Sequence, residues 1–383
     1  MKRILYLHAG AEMYGADIVL LELLKNLEKN KFKPYVVLPC DGPLVEKLKE
    51  NDIEVEILNY PILRRKYFNP IGIIRYIKDY FIYSNKLIKI AKDKKIDIVH
   101  TNTAAVLEGI LVKRRLNLKQ VWHIHEIIVR PRFMNKLLSY FIARNSDEVV
   151  TVSNAVKNHL LETGYFENQS IKVVYNGVDN NIFNFKNDVN YLKCEFNIPR
   201  DALVVGMIGR VNAWKGQGDF LDAVKNILNK NKNIYAMLVG GVFDGEEWRI
   251  VELKEKINSL NCRDRIIFLD YRSDTPNIHA LYDIFVLPST NPDPLPTVVL
   301  ESMASRTAIV GYRHGGICEM VEEGVNGLLA EVKNTRDLEE KIMQFVIDSD
   351  KRENAARRSE ERQKGMFSLE SYVQNFEEIY SSL

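Results

Sequence analysis

Ile284-Phe-Val-Leu-Pro-Ser-Thr-Asn-Pro-Asp-Pro-Leu-Pro-Thr-Val-Val-Leu-Glu-Ser-Met-Ala304 is the stretch from which the rest of the chain can be read. Ile284 to Leu287 form a short apolar run, the composition of a strand buried on both faces of a parallel sheet. Pro288, Pro292, Pro294 and Pro296 then hold a loop open, because each fixes φ and offers no N–H to a ladder. Thr297 is placed to cap a helix whose first turn carries Val298, Val299 and Leu300. Strand, stiff loop and helix N-terminus together make an anion site, since free N–H groups and the helix dipole both point outward. Asp293 and Glu301 flank that site with seven residues between them. A carboxylate beside a phosphate repels it, so these two are better suited to accept hydrogen bonds from hydroxyls. A ligand carrying both phosphates and hydroxyls is a nucleotide sugar. In the plainer alternative Glu301 only complements a helix dipole and Asp293 is an ordinary loop residue.

Outward from this stretch the pattern repeats. Before residue 184, strand-like runs such as Arg3–His8, Asp97–Thr101, Gln120–His123 and Glu148–Val152 alternate with helical runs such as Ala16–Leu27, Ala105–Arg115 and Asn154–Glu162. That is the signature of a parallel sheet with helices on both faces. Residues 184–199 are polar and Asn-rich and break the rhythm, which marks them as a linker. Alternation restarts at Leu203–Ile208 and runs to Gly327–Ala330. Two doubly wound domains are expected, 1–183 and 200–365, with ligands at the carboxyl ends of the strands. The last segment, 366–383, carries Leu369, Tyr372, Val373, Phe376, Ile379 and Tyr380 at helical spacing and is expected to pack its apolar face.

Further residues suited to chemistry lie at strand ends. Gly209-Arg-Val-Asn-Ala-Trp-Lys-Gly216 follows the first strand of the second domain. Its Arg210 and Lys215 form a cation pair fit for a diphosphate, one a planar fork and the other a point charge. Gly240, like Gly209, ends a strand where a ligand would approach the backbone closely, and Gly15 opens the first helix after a glycine-containing turn. Trp122-His-Ile-His-Glu126 ends a first-domain strand, and period-two spacing puts the rings of His123 and His125 on one face. No third ligand stands at metal spacing beside them, so zinc is not expected. Asp348-Ser-Asp350 sits in a charged helical tail and is set aside.

These motifs resemble glycosyltransferase family 4, retaining enzymes of the GT-B fold. The resemblance rests on the acidic-x7-Glu pair Asp293/Glu301, where Asp stands in the place of the usual first Glu, and on Gly209-Arg210 with Lys215-Gly216. Asn176-Gly-Val-Asp179 with Phe183, Gly315-Gly316 and Gly324-Val-Asn-Gly327 add to it. It implies a fold of class α/β, with two Rossmann-like domains facing across a cleft and the final helix crossing back to the first domain. It implies a nucleoside diphosphate sugar as donor and no metal or cofactor. Arg210 and Lys215 would then hold the diphosphate and stabilise it as it leaves, Asp293 would meet sugar hydroxyls and Glu301 the ribose. Tyr271 and Arg272 would flank the base, and Leu295, Pro296, Thr297 and Val298 would bring the helix N-terminus to the donor. His125 would lie near the reacting sugar. Attack would come from the front face, the leaving phosphate helping to take the acceptor's proton. Two other readings compete: a GT-B epimerase or phosphorylase, and a non-catalytic nucleotide-sugar-binding partner of another transferase.

Composition sets the remaining bounds. The chain has 383 residues, 46% hydrophobic and 27% charged, as in an ordinary soluble globular protein. Its four cysteines are widely separated, which argues against a disulfide framework and fits a cytoplasmic setting. The N-terminus enters a strand at once, with no signal peptide pattern. Net charge is +2, yet residues 1–183 hold 28 Lys and Arg against 20 Asp and Glu. Much of that excess lies in 64–95, where Arg64, Arg65, Lys66, Arg75, Lys78 and Lys86 interleave with aromatic and aliphatic residues. Such a segment suits an anionic membrane surface, at the inner face of a membrane where a glycan or lipid-linked acceptor would be found. A core helix pair with a solvated basic face explains it equally. No nucleic-acid-binding module is present in the sequence.

Overall fold

The computed structural model describes residues 1–64, 67–166 and 170–383, so Arg65 and Lys66 of the basic segment lie outside the described residues. The chain divides into two compact units, Met1–Gly177 with Leu369–Leu383, and Val178–Ser368.

In the first unit, strands β1 (Lys2–His8), β2 (Phe32–Leu38), β3 (Glu54–Ile57), β4 (Ile98–Asn102), β5 (Lys119–Ile124), β6 (Glu148–Thr151) and β7 (Ile171–Val173) form one sheet. Its order is β3-β2-β1-β4-β5-β6-β7 and every pairing is parallel. Helices α1 (Gly15–Asn26), α2 (Pro43–Glu50), α3 (Pro70–Asp93), α4 (Glu108–Leu116), α5 (Arg132–Asn145) and α6 (Asn154–Leu161) supply crossovers. β2 starts at Phe32 and includes Pro34. The proline is tolerated because β3 begins to pair only at Tyr35, so Pro34 faces β1 alone.

In the second unit, β8 (Leu203–Ile208), β9 (Ile234–Val239), β10 (Ile266–Leu269), β11 (Ile284–Leu287), β12 (Ala308–Tyr312) and β13 (Gly327–Ala330) pair in parallel in the order β10-β9-β8-β11-β12-β13. The segment 184–199, read above as a linker, belongs to this unit and contains α7 (Asn190–Glu195). The other helices are α8 (Gln217–Lys230), α9 (Trp248–Asn258), α10 (Thr275–Leu281), α11 (Thr297–Ala304), α12 (Ile317–Met320), α13 (Thr335–Ile347) and α14 (Ser349–Met366). Both sheets are doubly wound, with the strand order reversing between β1 and β4 and again between β8 and β11. Ligands of such sheets bind outside the carboxyl ends of the strands at that reversal.

Apolar burial explains why these elements hold. Ile284, Phe285, Val286 and Leu287 of β11 are wholly buried, as a strand covered on both faces requires. The final helix, α15 (Leu369–Ser382), buries Leu369, Tyr372, Val373, Phe376, Ile379 and Tyr380 in the core that contains Ile4, Tyr6 and Val36. Each such side chain contributes roughly 1.5–3 kcal/mol relative to exposure, far more than helix propensity can. Its Tyr380 hydroxyl accepts from the Tyr6 hydroxyl at 3.0 Å and donates to His100 Nδ1 at 2.8 Å. Burial holds the His100 pKa down to about 3, so that ring is neutral and available as the acceptor.

Among the described residues of 64–95 there is one long α-helix, α3 (Pro70–Asp93), rather than a pair. Asn69 caps α3 by accepting from the Gly72 N–H at 2.8 Å, and Pro70 takes the first position, where a missing N–H costs nothing. Tyr76, Leu87 and Ala91 face the core, whereas Ile71, Ile74, Ile77 and Phe81 are exposed.

Candidate functional site

In the second unit, two loops meet at the reversal of strand order. The first leaves β8 as Gly209–Gly216. The Asn212 side chain accepts from the backbone N–H groups of Trp214 and Lys215, at 3.0 and 2.9 Å, and bends this loop back. Gly216 closes it at φ +86°, and a Cβ there would lie 1.9 Å from the Pro288 carbonyl oxygen. Glycine is therefore required by both conformation and space. The second loop leaves β11 at Pro288, and Thr290 ties the two together by donating its N–H to the Trp214 carbonyl at 2.6 Å.

Across this junction Lys215 Nζ donates to both carboxylate oxygens of Asp293, at 3.0 and 2.9 Å. The Ser289 hydroxyl adds a third donor to Asp293 at 2.7 Å, and the Ser289 carbonyl lies 2.5 Å from His314 Nε2. Asp293 is buried, and its own backbone is clasped from behind: Gly316 donates its N–H to the Asp293 carbonyl at 2.7 Å. A side chain at Gly315 or Gly316 would strike Asp293 or Pro294, so this turn shapes the acidic loop. Lys215 Nζ also stands 4.7 Å from the Trp214 ring, and the Arg210 guanidinium lies 3.7 Å over the Phe243 ring.

Helix α11 follows, but its capping differs from the expected arrangement. Pro296 is the N-cap, Thr297 is the first helical residue, and no side chain caps the turn. Proline can hold that position because its fixed φ is compatible with the extended conformation observed there, φ −69° and ψ 110°. The first backbone N–H groups of α11 then have no side-chain oxygen laid across them. Leu295 is buried, whereas Thr297 and Val298 keep partial exposure.

Glu301 has a partner the sequence did not reveal. His279 Nε2 lies 3.0 Å from Glu301 Oε2, and His279 Nδ1 lies 2.7 Å from the Ser302 hydroxyl. A carboxylate only accepts, so the His279 Nε2–H donates to Glu301 while Nδ1 receives the Ser302 proton. Phe183 packs edge-on over the His279 ring at 5.7 Å. The arrangement aims one carboxylate oxygen and leaves lone pairs on Glu301 for a ligand hydroxyl.

The remaining positions fall at neighbouring strand ends. Gly240, after β9, passes so close to Gly209 that a Cβ would sit 2.0 Å from the Gly209 carbonyl oxygen. Tyr271, after β10, is 76% exposed. Arg272 is engaged by carboxylates: it reaches Glu195 at 2.8 Å and Asp274 at 2.7 Å, anchoring α7 to the start of α10. The hydrogen bonds it donates to Asp274 and Glu195 push its pKa up.

In the first unit the corresponding reversal also carries polar groups. The Asn102 side-chain oxygen is 3.0 Å from His123 Nδ1 and 2.9 Å from His125 Nε2. His8 Nε2 lies 2.7 Å from Asp17 Oδ1, and its Nδ1 faces the Asn102 side chain at 3.0 Å. The two rings of His123 and His125 are indeed neighbours, 4.0 Å apart. His123 is wholly buried and His125 half-buried; burial pushes both pKa values down, that of His125 to about 3, so both are neutral. Gly15 is the first residue of α1. The sequence reading named the two histidines but neither Asn102 nor the His8–Asp17 pair.

Two family models match the chain, Glycosyltransferase Family 4 over residues 13–181 and Glycosyl transferases group 1 over residues 191–362. Among relatives, the N-acetyl-alpha-D-glucosaminyl L-malate synthase of Bacillus anthracis is 27% identical over 305 residues, 78% of this chain and 77% of that one. The UDP-Gal:alpha-D-GlcNAc-diphosphoundecaprenol alpha-1,3-galactosyltransferase of Escherichia coli is 26% identical over 342 residues, 83% of this chain and 84% of that one. Among solved structures, Anabaena Alr3699/HepE in complex with UDP and glucose superposes with a TM-score of 0.87 at 26% identity, covering 100% of both chains. Fold and relatives together define a glycosyltransferase of the GT-B class. Within that class, the chain belongs to glycosyltransferase family 4.

Proposed function

We propose that the protein transfers a hexose-type sugar from a nucleoside diphosphate sugar, with retention, to a glycan or lipid-linked acceptor in surface polysaccharide or glycolipid assembly. The observation that carries this reading is the Lys215–Asp293 contact at the switch point of the second unit. It brings a phosphate-binding cation and a hydroxyl-binding carboxylate to one place, as a ligand with both groups demands. The Anabaena structures hold UDP with glucose, and UDP-glucose, which favours a uridine diphosphate sugar as donor.

In this reading Arg210 and Lys215 neutralise the diphosphate as the glycosidic bond stretches, and the amino end of α11 adds backbone donors. Lys215 has three donors, two of them used by Asp293, so one remains for a phosphate oxygen. Asp293 accepts a sugar hydroxyl with the lone pairs that Lys215 and Ser289 leave over. Glu301, aimed by His279, accepts from the ribose. These cations supply the charge neutralisation, so no metal or cofactor is required, and the leaving phosphate assists removal of the acceptor's proton.

Thermal unfolding in the presence of nucleoside diphosphates and their sugars tests the donor, because a ligand of the folded state raises the midpoint by mass action. A raised midpoint with UDP, lost in Lys215→Ala, is expected. Release of UDP with transfer to acceptor, against none in Lys215→Ala, separates an enzyme from a binding module. Conversion of the sugar nucleotide without acceptor would instead indicate an epimerase.

A further inference from the structure

The first unit carries a pocket of about 320 Å³, open to solvent on one side, beyond the ends of β3, β4 and β5. Its walls are apolar, built from Leu63, Phe68, Ile128, Met134 and Leu138, with Ala104 and Ala105 leaving room between them. Its charge comes from Arg64, Arg130 and Glu126. Arg64 is steadied by donating from Nη2 to the Ala9 carbonyl at 3.0 Å. Glu126 Oε2 receives the N–H groups of Ala104 and His125, both at 3.1 Å, and burial raises the pKa of that carboxyl, weakening its opposition to a nearby anion.

The apolar character continues outside the cavity. The Phe68 ring meets that of Phe133 at 6.4 Å, and Phe133 is 62% exposed. Along α3, Ile71, Ile74, Ile77 and Phe81 stand exposed at helical spacing, opposite the buried Tyr76 and Leu87. A helix apolar on both faces expects a second apolar partner. Together these side chains offer an apolar surface on the order of several hundred Å², at the upper end for a soluble monomer. Arg75, paired with Asp79 at 3.7 Å, and Lys78 border this stripe, and Arg132 and Lys136 share the exposed face of α5 with Leu137. Two copies of so cationic a face would repel each other, whereas an anionic amphiphile satisfies both its charge and its apolar surface.

We propose that this cavity takes a phosphorylated lipid drawn from a bilayer, the chain lying against Phe68, Met134 and Leu138 and the phosphate held by Arg64 and Arg130. A volume near the low end of ligand pockets, roughly 300–1,000 Å³, accommodates the portion of chain next to the phosphate. The remainder runs along the exposed stripe of α3. Arginine suits the phosphate because its planar fork donates two parallel hydrogen bonds. This inference narrows the acceptor class and rests on the transferase reading above.

The test is calorimetric titration of the full-length protein with farnesyl phosphate, farnesol and inorganic phosphate. Farnesyl phosphate is expected to bind at least tenfold more tightly than either of the others. Arg64→Ala combined with Arg130→Ala alters two exposed side chains and should weaken farnesyl phosphate at least tenfold while leaving farnesol within twofold. Met134→Trp fills the cavity and should weaken farnesyl phosphate and farnesol alike; if it does not fold, the arginine variant decides. Equal binding of farnesyl phosphate and inorganic phosphate would make this a soluble phosphate site and overturn the proposal. So would equal binding of farnesyl phosphate and farnesol, indifference to the arginine variant, or a dimer dissociated by Ile74→Glu. UDP titrated into the same samples keeps the two readings apart. Lipid binding without UDP binding counts against the donor assignment, and the reverse counts against this one.

Discussion

Replacing Lys215 by Met, alone and together with Asp293→Asn, separates what the Lys215–Asp293 pair does for the fold from what it does for a ligand. The two side chains are 15% and 9% exposed, so the pair is close to buried. Breaking a buried pair by removing one partner costs about 3–5 kcal/mol, because the other charge is stranded. Here Ser289 still donates to Asp293 and some water reaches Lys215, which places Lys215→Met nearer about 2–4 kcal/mol. In a unit of this size each kcal/mol shifts the midpoint of thermal unfolding by roughly 2–4 °C, so a fall of about 5–15 °C is expected. The double variant replaces both charges by neutral groups of similar volume and should recover at least half of that fall. Catalysis should not recover, since a diphosphate would still lack its cation. Calorimetry of the wild type, the two single variants and the double variant closes the cycle, and transfer of sugar from UDP-glucose supplies the activity column. Sugar transfer restored in the double variant would refute the role assigned to Lys215; stability left unrestored would refute the account of the pair.

Three further outcomes follow from the same geometry. Gly216→Ala places a methyl group 1.9 Å from the Pro288 oxygen at a left-handed φ, and should destabilise by more than about 2 kcal/mol, seen as a lower unfolding midpoint and weaker UDP binding. His279→Leu removes the donor to Glu301 Oε2, worth about 1.5–3 kcal/mol when the acceptor is charged, so UDP affinity measured by titration should fall roughly 10- to 100-fold. Burial raises the Glu108 pKa to about 8, so the folded chain holds a proton there that the unfolded chain releases near pH 4.5. Stability from this group therefore falls as pH rises from about 4.5 to about 8, by at most about 4–5 kcal/mol, and Glu108→Gln should raise the midpoint at pH 8 but not at pH 4.

How far the sequence could be read depended on whether partners lay close along the chain. Parallel strands such as Ile284–Leu287 are legible because burial on both faces demands an unbroken apolar run. Arg210, Lys215, Asp293 and Glu301 stood out because strand ends, glycines and prolines marked their loops. His279 did not: it lies inside the seven-residue α10, and the Glu301 it aims is 22 residues further on. Asn102 and the His8–Asp17 pair were hidden in the same way, since an Asn at the end of β4 acquires its role only when β5 is laid beside it. The segment 184–199 misled by composition. Its asparagines suggested a bare linker, yet α7 forms there and Arg272 clamps it through Glu195. Thr297 was assigned as a cap because threonine commonly is one, but the preceding proline already holds the extended conformation a cap requires.

What brings Lys215 to Asp293 is the pairing of β8 with β11, for the two residues are 78 positions apart. The register sets Ile284 beside Val205 and Phe285 beside Gly206. Continued beyond the strands, it brings Pro288 level with Gly209, and the chains then diverge because β8 leads to β9 on one side and β11 to β12 on the other. Gly216 must lie against the Pro288 carbonyl for the first loop to turn back across the second, and that contact presents the Lys215 side chain to the acidic loop. The first unit repeats the geometry at β1 and β4, where the register sets His8 beside Asn102. There Asn102 gathers the neutral rings of His123 and His125, and among the described residues no lysine or arginine stands in the place that Lys215 takes in the second unit. The proposed function uses this difference: the second unit's cations would meet a charged donor, and the amide and imidazoles around Asn102 would orient an uncharged hydroxyl.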